Sequence, residues 1–379
     1  MATLQTKFQL PGYPDDAQAA NGTMEISVRG RWVKAPALRV NGQNLVTTGK
    51  WIKMARLHDE EWLETEIDDP EDCVRELKAR SDAPHPDIFC FSQKVPGTVP
   101  RYQYPMEMSS VAVAEITTFK NWWDRIPSNT RQNIKRSQKR GVVLKVKGFE
   151  NDVIQGICDV QNETPVRQGR PYPHYGKPFE QVRRDHGAFV DRSDFICAYF
   201  EDEFIGFMKL VYRGDVASIL QLNAKTAHYD KRPSNALFAK AVEMCEARGI
   251  GYLTYGKFNY GNNGHDSLCE FKMRHGFGEM QMPAYYVPLT AWGRLCVLLK
   301  LYRKPQSMIP VSVRAIARGM RAKWYSFTTP NTTVVDRRLA EESRVSGSGS
   351  AEREIDVVFA IGTSAVDAQR RAIHARKGE

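Results

Sequence analysis

Three apolar runs separated by short polar turns stand out between residues 195 and 223. The runs are Phe195–Phe200, Phe204–Tyr212 and Val216–Asn223, and the turns contain Glu201-Asp202 and Arg213-Gly214. Short polar turns between runs of this length are typical of hairpins. The pattern therefore predicts three consecutive antiparallel strands.

The apolar period then changes from that of a strand to that of a helix. Ser234–Arg248 has its apolar side chains at helical spacing, and Gly249 follows as a C-terminal stop. A strand at Tyr252–Lys257, a short helix at Asp266–His275 and a strand at Met280–Pro288 come next. The predicted order is β-β-β-α-β-α-β, with a parallel crossover after the third strand.

The remaining segments predict a further lobe and two flanking regions. Residues 24–150 mix strand-like and helical patterns, whereas the first 23 residues have no periodicity. After Thr290 two basic amphipathic helices are expected, and Trp292, Leu295, Leu299 and Tyr302 line the first of them. The predicted domains are a loose leader at 1–23, an α/β lobe at 24–150, a second lobe at 151–289, basic helices at 290–327 and a linker with a tail at 328–379.

Charge and cysteine usage narrow the classes of protein. Lys and Arg outnumber Asp and Glu by 54 to 44 in 379 residues, and a net charge of +10 favours an anionic partner. The seven cysteines form no C-x-x-C pair, so neither a zinc cluster nor a disulfide framework is expected. The N-terminus lacks signal-peptide features, and the apolar stretch at Leu295–Leu299 is too short to span a bilayer. We expect a cytoplasmic protein that binds no metal. Peripheral contact of this protein with the inner membrane is an additional expectation.

A polar, basic helix is the first candidate for function. It is expected between Ser128, as its cap, and Gly141, as its stop, with Ile134 as the apolar residue among its cations. The cations suit phosphate groups, and a solvated surface helix is the alternative. They are Arg131, Lys135, Arg136, Lys139 and Arg140.

A loop between two helical patterns is the second candidate. Residues 162–177 are rich in polar, aromatic, Gly and Pro residues and poor in aliphatic ones, as binding loops are. Its carboxylate, imidazole and cations suit the binding or deprotonation of an acceptor, and a structural ion-pair network is the alternative. The residues are Glu163, Arg167, Arg170, His174, Tyr175 and Lys177.

The third candidate is the turn before the helix at Ser234–Arg248. Lys231 and Arg232 precede a helix N-terminus, where backbone N–H groups and positive charge suit a pyrophosphate. The turn has no glycine-rich run, so a capped helix with a solvated basic turn is the alternative.

Together these features resemble a known family. The predicted element order over residues 24–289 is similar to the GNAT acyl-CoA N-acyltransferase fold. More narrowly, Ile126–Gly141 and Glu270–Phe277 resemble segments of FemAB-like transferases, in which a basic helix precedes a strand and a phenylalanine-lysine, glycine-phenylalanine stretch precedes the last strand. The resemblance implies a mixed-sheet α/β fold with two tandem GNAT-like lobes.

The resemblance also implies a reaction and a set of site residues. The reaction is transfer of an acyl or aminoacyl group to an amine of a cell-envelope or polysaccharide-type acceptor. The donor is a thioester such as acyl-CoA, or a charged tRNA. The donor pyrophosphate loop corresponds to Lys231, Arg232, Ser234 and Asn235. The borders of the central cleft correspond to Gln221, Tyr255, Lys257 and Lys272.

We expect the donor carbonyl between the strands of Gln221 and Tyr255, with direct attack by the acceptor amine and no covalent enzyme intermediate. Glu163 or His174 would take the amine proton, and Tyr255 would protonate the leaving group. Tyr255 as a packed strand aromatic is the alternative.

Two other functions compete with the enzyme. The basic helix at 131–140 favours a non-catalytic nucleic-acid-binding module, although aromatic residues are not interleaved with its cations. Arg314, Arg318 and Arg321 on a second amphipathic helix favour contact with an anionic membrane. A small-molecule or lipid-linked anionic acceptor, and tRNA as donor, are the expected partners.

Overall fold

The computed structural model describes residues 22–28, 31–41, 43–58, 66–67, 69–79, 85–167, 170–259 and 267–303. The described strands are, in chain order, β1 (Gly22–Val28), β2 (Arg31–Val40), β3 (Gln43–Thr48), β4 (Met54–Leu57), β5 (Ile88–Ser92), β6 (Met106–Glu115), β7 (Val143–Lys147), β8 (Val166–Arg167), β9 (Arg170–Pro171), β10 (Ser193–Phe200), β11 (Glu203–Arg213), β12 (Val216–Ala224), β13 (Tyr252–Lys257) and β14 (Gly278–Pro288). The described α-helices are α1 (Pro70–Ala79), α2 (Phe119–Arg125), α3 (Ser128–Lys139), α4 (Asn151–Gln161), α5 (Phe179–His186), α6 (Pro233–Ala247), α7 (Ser267–Arg274) and α8 (Ala291–Leu298).

These elements form two compact units. Unit 1 contains the described residues up to 109 together with 282–302, and unit 2 contains residues 110–281. Unit 2 therefore includes α2 and α3, which the sequence analysis assigned to the first lobe. The domain boundaries at 150 and 289 stay a prediction.

Unit 1 is an α/β unit built on a mixed sheet. Antiparallel pairs join β1 to β2, β2 to β3 and β3 to β4, whereas β4 and β5 run parallel. The end of β14 pairs with β5 from Ala284 to Pro288. Helix α1 covers one face because Cys73, Val74 and Leu77 are buried against the aromatic side chains of β5.

Unit 2 contains the predicted run of elements up to the start of its last strand, β14, whose residues from Met282 onward belong to unit 1. Strands β7, β10, β11 and β12 pair in antiparallel fashion, β12 and β13 pair in parallel, and β13 pairs with β6. The chain order β10-β11-β12-α6-β13-α7-β14 is the predicted β-β-β-α-β-α-β. Helix α4 packs on β10 and β11 through a buried aliphatic and aromatic cluster. The prediction of a mixed-sheet α/β fold with this order of elements is confirmed.

Helix α8 differs from the prediction in the face that it buries. Gly293 and Cys296 are its buried residues, and Trp292, Leu295 and Leu299 are exposed. The helix turns this way because a Cβ on Gly293 would lie 2.0 Å from the carbonyl oxygen of Asp87, which leaves room there for glycine alone. The predicted second basic helix, with Arg314, Arg318 and Arg321, and the tail lie outside the described residues.

Helix α3 begins one residue earlier than its predicted cap implies. Pro127 is the N-cap and Ser128 is the first helical residue. The helix also buries a face of small polar side chains around Ile134, so it is partly a core element. Its outer cations Lys135, Arg136 and Lys139 are exposed, as predicted.

Candidate transferase site

The parallel strands of unit 2 separate after a short paired segment. Pairing between β12 and β13 covers three residue pairs, from Val216 with Tyr252 to Ser218 with Thr254. Both strands continue, to Ala224 and Lys257, and every residue of both is described. The ladder between them ends at Ser218 and Thr254, so the two strands separate from each other beyond that point.

A β-bulge lies at the same level on the other side of β12. Lys209 of β11 pairs with Gln221, whereas the next residue, Leu210, pairs with Ile219. Leu220 is therefore the extra residue, and a bulge of this kind increases strand twist. The bulge and the end of the β12–β13 ladder together turn the second half of β12 away from β13.

The N-terminus of α6 follows this separated segment. A 3-10 turn at Thr226–Lys231 leads to Arg232, whose φ of 57° lies in the left-handed region. Pro233 begins the helix, and no side chain of the described residues caps it. The first backbone N–H groups of α6 are therefore suited to an anion.

The predicted donor-binding residues divide into two sets. The Nζ of Lys231 lies 4.3 Å from the ring centroid of Phe200 and 3.6 Å from a carboxylate oxygen of Asp230. The side chains of Ser234 and Asn235 are buried in the first turn of α6. Lys231 and the backbone of this turn are thus better placed for phosphate contact than the two buried side chains.

Glu163 is engaged by backbone donors. Its two carboxylate oxygens accept hydrogen bonds from the N–H groups of Thr226 and Ala227, at 2.7 and 2.8 Å. Glu163 thereby binds the start of the 3-10 turn, where a negative charge is favourable. These contacts favour a positioning role over that of a base.

Arg167, expected to bind substrate, is a buried structural residue. Its guanidinium donates to the carbonyl oxygens of Val160 and Ala224 and to Oδ1 of Asn223, at 2.6, 3.1 and 2.6 Å. It also lies 3.4 Å from Glu163 and over the ring of Tyr172. The alternative of a structural ion-pair network therefore describes Arg167 better.

His174 lies in the same loop and is buried. Burial, with the charges of Lys177 and Arg167, lowers the pKa of His174 to about 3. Lys177 Nζ lies 3.2 Å from His174 Nδ1 and 2.5 Å from Asp185. Because the ammonium donates to Nδ1, the neutral ring carries its proton on Nε2. In this arrangement His174 offers a donor rather than a base.

The other predicted residues occupy different positions around the strands. Tyr255 is fully buried between Phe238 and Phe277, as its alternative reading predicts. The Nζ of Lys272 lies over the Tyr255 ring and donates to the carbonyl oxygen of Lys257 at 2.5 Å. These contacts join α7 to the end of β13.

The remaining four predicted residues lie at the end of β13, on the loop, in β9 and at the bulge. The side chain of Lys257 is exposed at the end of β13, and that of Tyr175 is exposed on the loop. Arg170 lies in β9, and its side chain is outside the described residues. Gln221 is half-buried opposite Lys209.

A buried lysine and histidine beside the bulge were missed by the sequence analysis. Lys209 Nζ donates to the carbonyl oxygens of His186, at 2.7 Å, and Ala188. Burial lowers the pKa of Lys209 to about 7. Burial and the charge of Lys209 hold the pKa of His186 well below its usual range, and Gln221 opposes this shift. The sequence feature that could have indicated Lys209 is its position as the single cation inside the apolar run Phe204–Tyr212.

Comparison with known proteins gives structural likenesses alone. No protein-family model matches the chain, and no curated protein matches it significantly. Among solved structures, FemX has a TM-score of 0.45 at 10% identity, covering 69% of this chain and 89% of FemX. L-PGS from Bacillus licheniformis has a TM-score of 0.45 at 13% identity, covering 71% and 90%. A tandem GNAT protein from the clavulanic acid biosynthesis pathway has a TM-score of 0.37 at 10% identity, covering 68% and 83%.

Removal of the buried guanidinium is expected to destabilise unit 2. Arg167→Met leaves two carbonyl groups and the Glu163 carboxylate without this donor, so the free energy of unfolding should fall by about 3 kcal/mol. Urea denaturation measures the loss. Arg136→Met, which removes an exposed cation from α3, should change it by less than about 0.5 kcal/mol. Equal effects of the two substitutions would contradict the structural role.

The lowered pKa of Lys209 predicts a pH dependence of stability. Below about pH 7 the lysine is protonated in both states, whereas at higher pH the folded state releases the proton first. Relative to Lys209→Met, the natural chain should gain stability from about pH 7 to pH 9, by at most about 1.4 kcal/mol per pH unit. Urea denaturation across this range tests the slope, with Lys139→Met as the control for charge removal. Parallel curves for the natural chain and Lys209→Met would refute it.

Proposed function

We propose that unit 2 transfers an acyl or aminoacyl group from an activated donor to an amine. The separation of β12 from β13 beyond Ser218 and Thr254 carries the proposal. A donor carbonyl inserted there meets backbone N–H groups that are already oriented, and such donors stabilise the oxyanion of a tetrahedral intermediate. The acceptor nitrogen attacks the carbonyl carbon, the bond to sulfur or to ribose oxygen breaks, and the proton released by the nitrogen ends on the departing sulfur or oxygen.

Acyl-CoA is the proposed donor. The N-terminus of α6 lies directly after the separated segment, and its uncapped first turn with Lys231 suits the pyrophosphate. A thioester threaded along β12 would then place its phosphates at α6 and its carbonyl between the strands. Ser234 and Asn235 contribute through their backbone, since their side chains are buried.

A charged tRNA is the second candidate donor. Exposed cations on α3 favour it, because Lys135, Arg136 and Lys139 form a polyanion-binding surface without nearby ion pairs of their own among the described residues. Arg140 is directed elsewhere, to the carbonyl and carboxylate of Asp230. A nucleic-acid-binding module without catalysis would use the same surface.

The proposed acceptor is an amine on a small or lipid-linked anionic molecule of cell-envelope or polysaccharide type. The exposed Lys257, at the end of β13, and Tyr175 and Lys177 of the loop are the residues assigned to it. The exposed ammonium of Lys257 suits an anionic group beside the amine, whereas that of Lys177 is paired with Asp185. None of the helices in the described part of the chain is long and apolar enough to cross a bilayer.

Donor binding is the first test. Isothermal titration with acetyl-CoA is expected to show one saturable site, and Lys231→Ala should weaken it about tenfold through loss of one phosphate contact. Lys240→Ala, in the middle of α6, is the matched control. Titration with charged and uncharged tRNA, with and without added salt, tests the second donor.

The donor outcomes separate the alternatives. Binding of charged tRNA that weakens in Lys135→Ala/Lys139→Ala, without binding of CoA esters, would move the function to aminoacyl transfer. Equal binding of charged and uncharged tRNA without transfer would favour the nucleic-acid module. Failure of both ligands to bind would refute the transferase.

The base and the positioning roles of Glu163 predict different results. If Glu163 positions the 3-10 turn, Glu163→Gln should lower the free energy of unfolding by about 1 kcal/mol and leave the shape of the pH–rate profile unchanged. Transfer from acetyl-CoA to hydroxylamine provides the rate. Unchanged stability with loss of the acidic limb would instead make Glu163 the base. His174→Gln, measured in parallel, applies the same criterion to His174.

A further inference from the structure

The outward side of α8 and the neighbouring Trp51 form an apolar surface on unit 1, here named the α8 patch. It consists of Trp51, Trp292, Leu295, Leu298 and Leu299, and Trp51 and Leu298 are 88% and 76% exposed. The Nε1 of Trp292 donates to the carbonyl oxygen of Trp51 at 3.0 Å, so the two tryptophans are neighbours. Adjacent exposed apolar side chains of this size mark interaction sites in soluble proteins.

The helix is fixed in the orientation that exposes these side chains. Thr290 accepts from the N–H of Gly293 and donates to the carboxylate of Asp87, both at 2.9 Å. Cys296 is fully buried beside Ile88 and Cys90. Rotation to bury the leucines would break the cap and force a larger side chain against Asp87. The exposure of the α8 patch is therefore fixed by the packing and capping of α8 in unit 1.

Charge selects the kind of partner. Residues 291–303 contain no Asp or Glu, and Arg294 and Lys300 are exposed among the leucines. Lys50 and Lys53 are exposed on either side of Trp51. Two acids contact this region, and both are engaged: Asp87 by the N–H of Lys53 and by Thr290, and Glu107 by the hydroxyl of Tyr302. An apolar face with tryptophans and surrounding cations is the composition of helices that lie in anionic membrane interfaces.

We propose that the α8 patch binds the surface of an anionic phospholipid bilayer. Leu298 and Leu299 enter the acyl-chain boundary, Trp51 and Trp292 lie at the level of the headgroups, and Arg294 and Lys300 contact lipid phosphates. The contact is shallow because α8 is eight residues long. It does not depend on the transferase proposal, since the donor site lies in unit 2.

Co-sedimentation of the full chain with phospholipid vesicles tests the proposal. Vesicles of equal parts phosphatidylglycerol and phosphatidylcholine should bind the chain, and pure phosphatidylcholine vesicles should bind it much less. Leu298→Ser/Leu299→Ser should lower the partition coefficient at least about tenfold, since two apolar side chains no longer insert. Arg294→Glu/Lys300→Glu should weaken binding to the anionic vesicles and reduce its dependence on salt.

The matched control is Val99→Ser, because Val99 is 74% exposed in unit 1 and is not part of the patch. It should bind vesicles as the natural chain does. Circular dichroism melting confirms that each variant is folded. Sedimentation velocity over a range of concentrations detects a dimer that uses the patch.

Three results would overturn the proposal. The first is no binding to anionic vesicles by the natural chain. The second is unchanged binding by both patch variants, which would place any lipid contact elsewhere. The third is a dimer of the natural chain that the leucine variant dissociates, which would make a second copy the partner.

Discussion

The buried guanidinium of Arg167 is the interaction on which the geometry of unit 2 depends. It binds the carbonyl of Val160 at the end of α4 and that of Ala224 at the end of β12. One guanidinium thus donates hydrogen bonds to a carbonyl group at the end of a helix and to another at the end of a strand, where regular secondary structure provides no donor. Lysine could not replace it, since one ammonium cannot present donors in the planar arrangement that these acceptors need.

Glu163 extends the same network toward α6. It balances the charge of Arg167 and, through the N–H groups of Thr226 and Ala227, fixes the direction in which the chain leaves β12. The turn that follows ends at Arg232, which has a left-handed backbone conformation, and α6 begins at the next residue. The position of the proposed phosphate site is therefore set by side chains in the loop after α4.

The sequence predicted the elements of unit 2 well because their periodicity is strong. The bounds of β13 agree with the expected Tyr252–Lys257, and α6 differs from its expected range by one residue at each end. Roles within residues 162–177 were harder to predict. A loop rich in charged residues is expected to be exposed, and whether Arg167 faces solvent or the ends of β12 and α4 depends on contacts distant in sequence.

The same limit explains Lys209 and the outward face of α8. Lys209 lies in an apolar strand, but its carbonyl partners are the last residue of α5 and a residue just after that helix, which no local pattern indicates. For α8 the leucine periodicity indicated an apolar side but not the direction in which it faces, and the close approach of Gly293 to Asp87 decided the orientation. Glycine has no apolar side chain and does not contribute to the hydrophobic periodicity, so the periodicity could not indicate that the Gly293 face of α8 packs most closely.

The bulge at Leu220 has a consequence for how β12 can change during evolution. Side chains alternate between faces along a strand, and the bulge absorbs one extra residue so that the residues beyond it still face their partners on β11. Deletion of Leu220 would therefore leave Gln221–Ala224 opposite the same residues, including the Asn223 side chain that accepts from Arg167. The deletion would remove the added twist that turns the second half of β12 away from β13. The length of β12 is therefore an inherited constraint on the separation of the two strands, and the faces of its side chains do not depend on it.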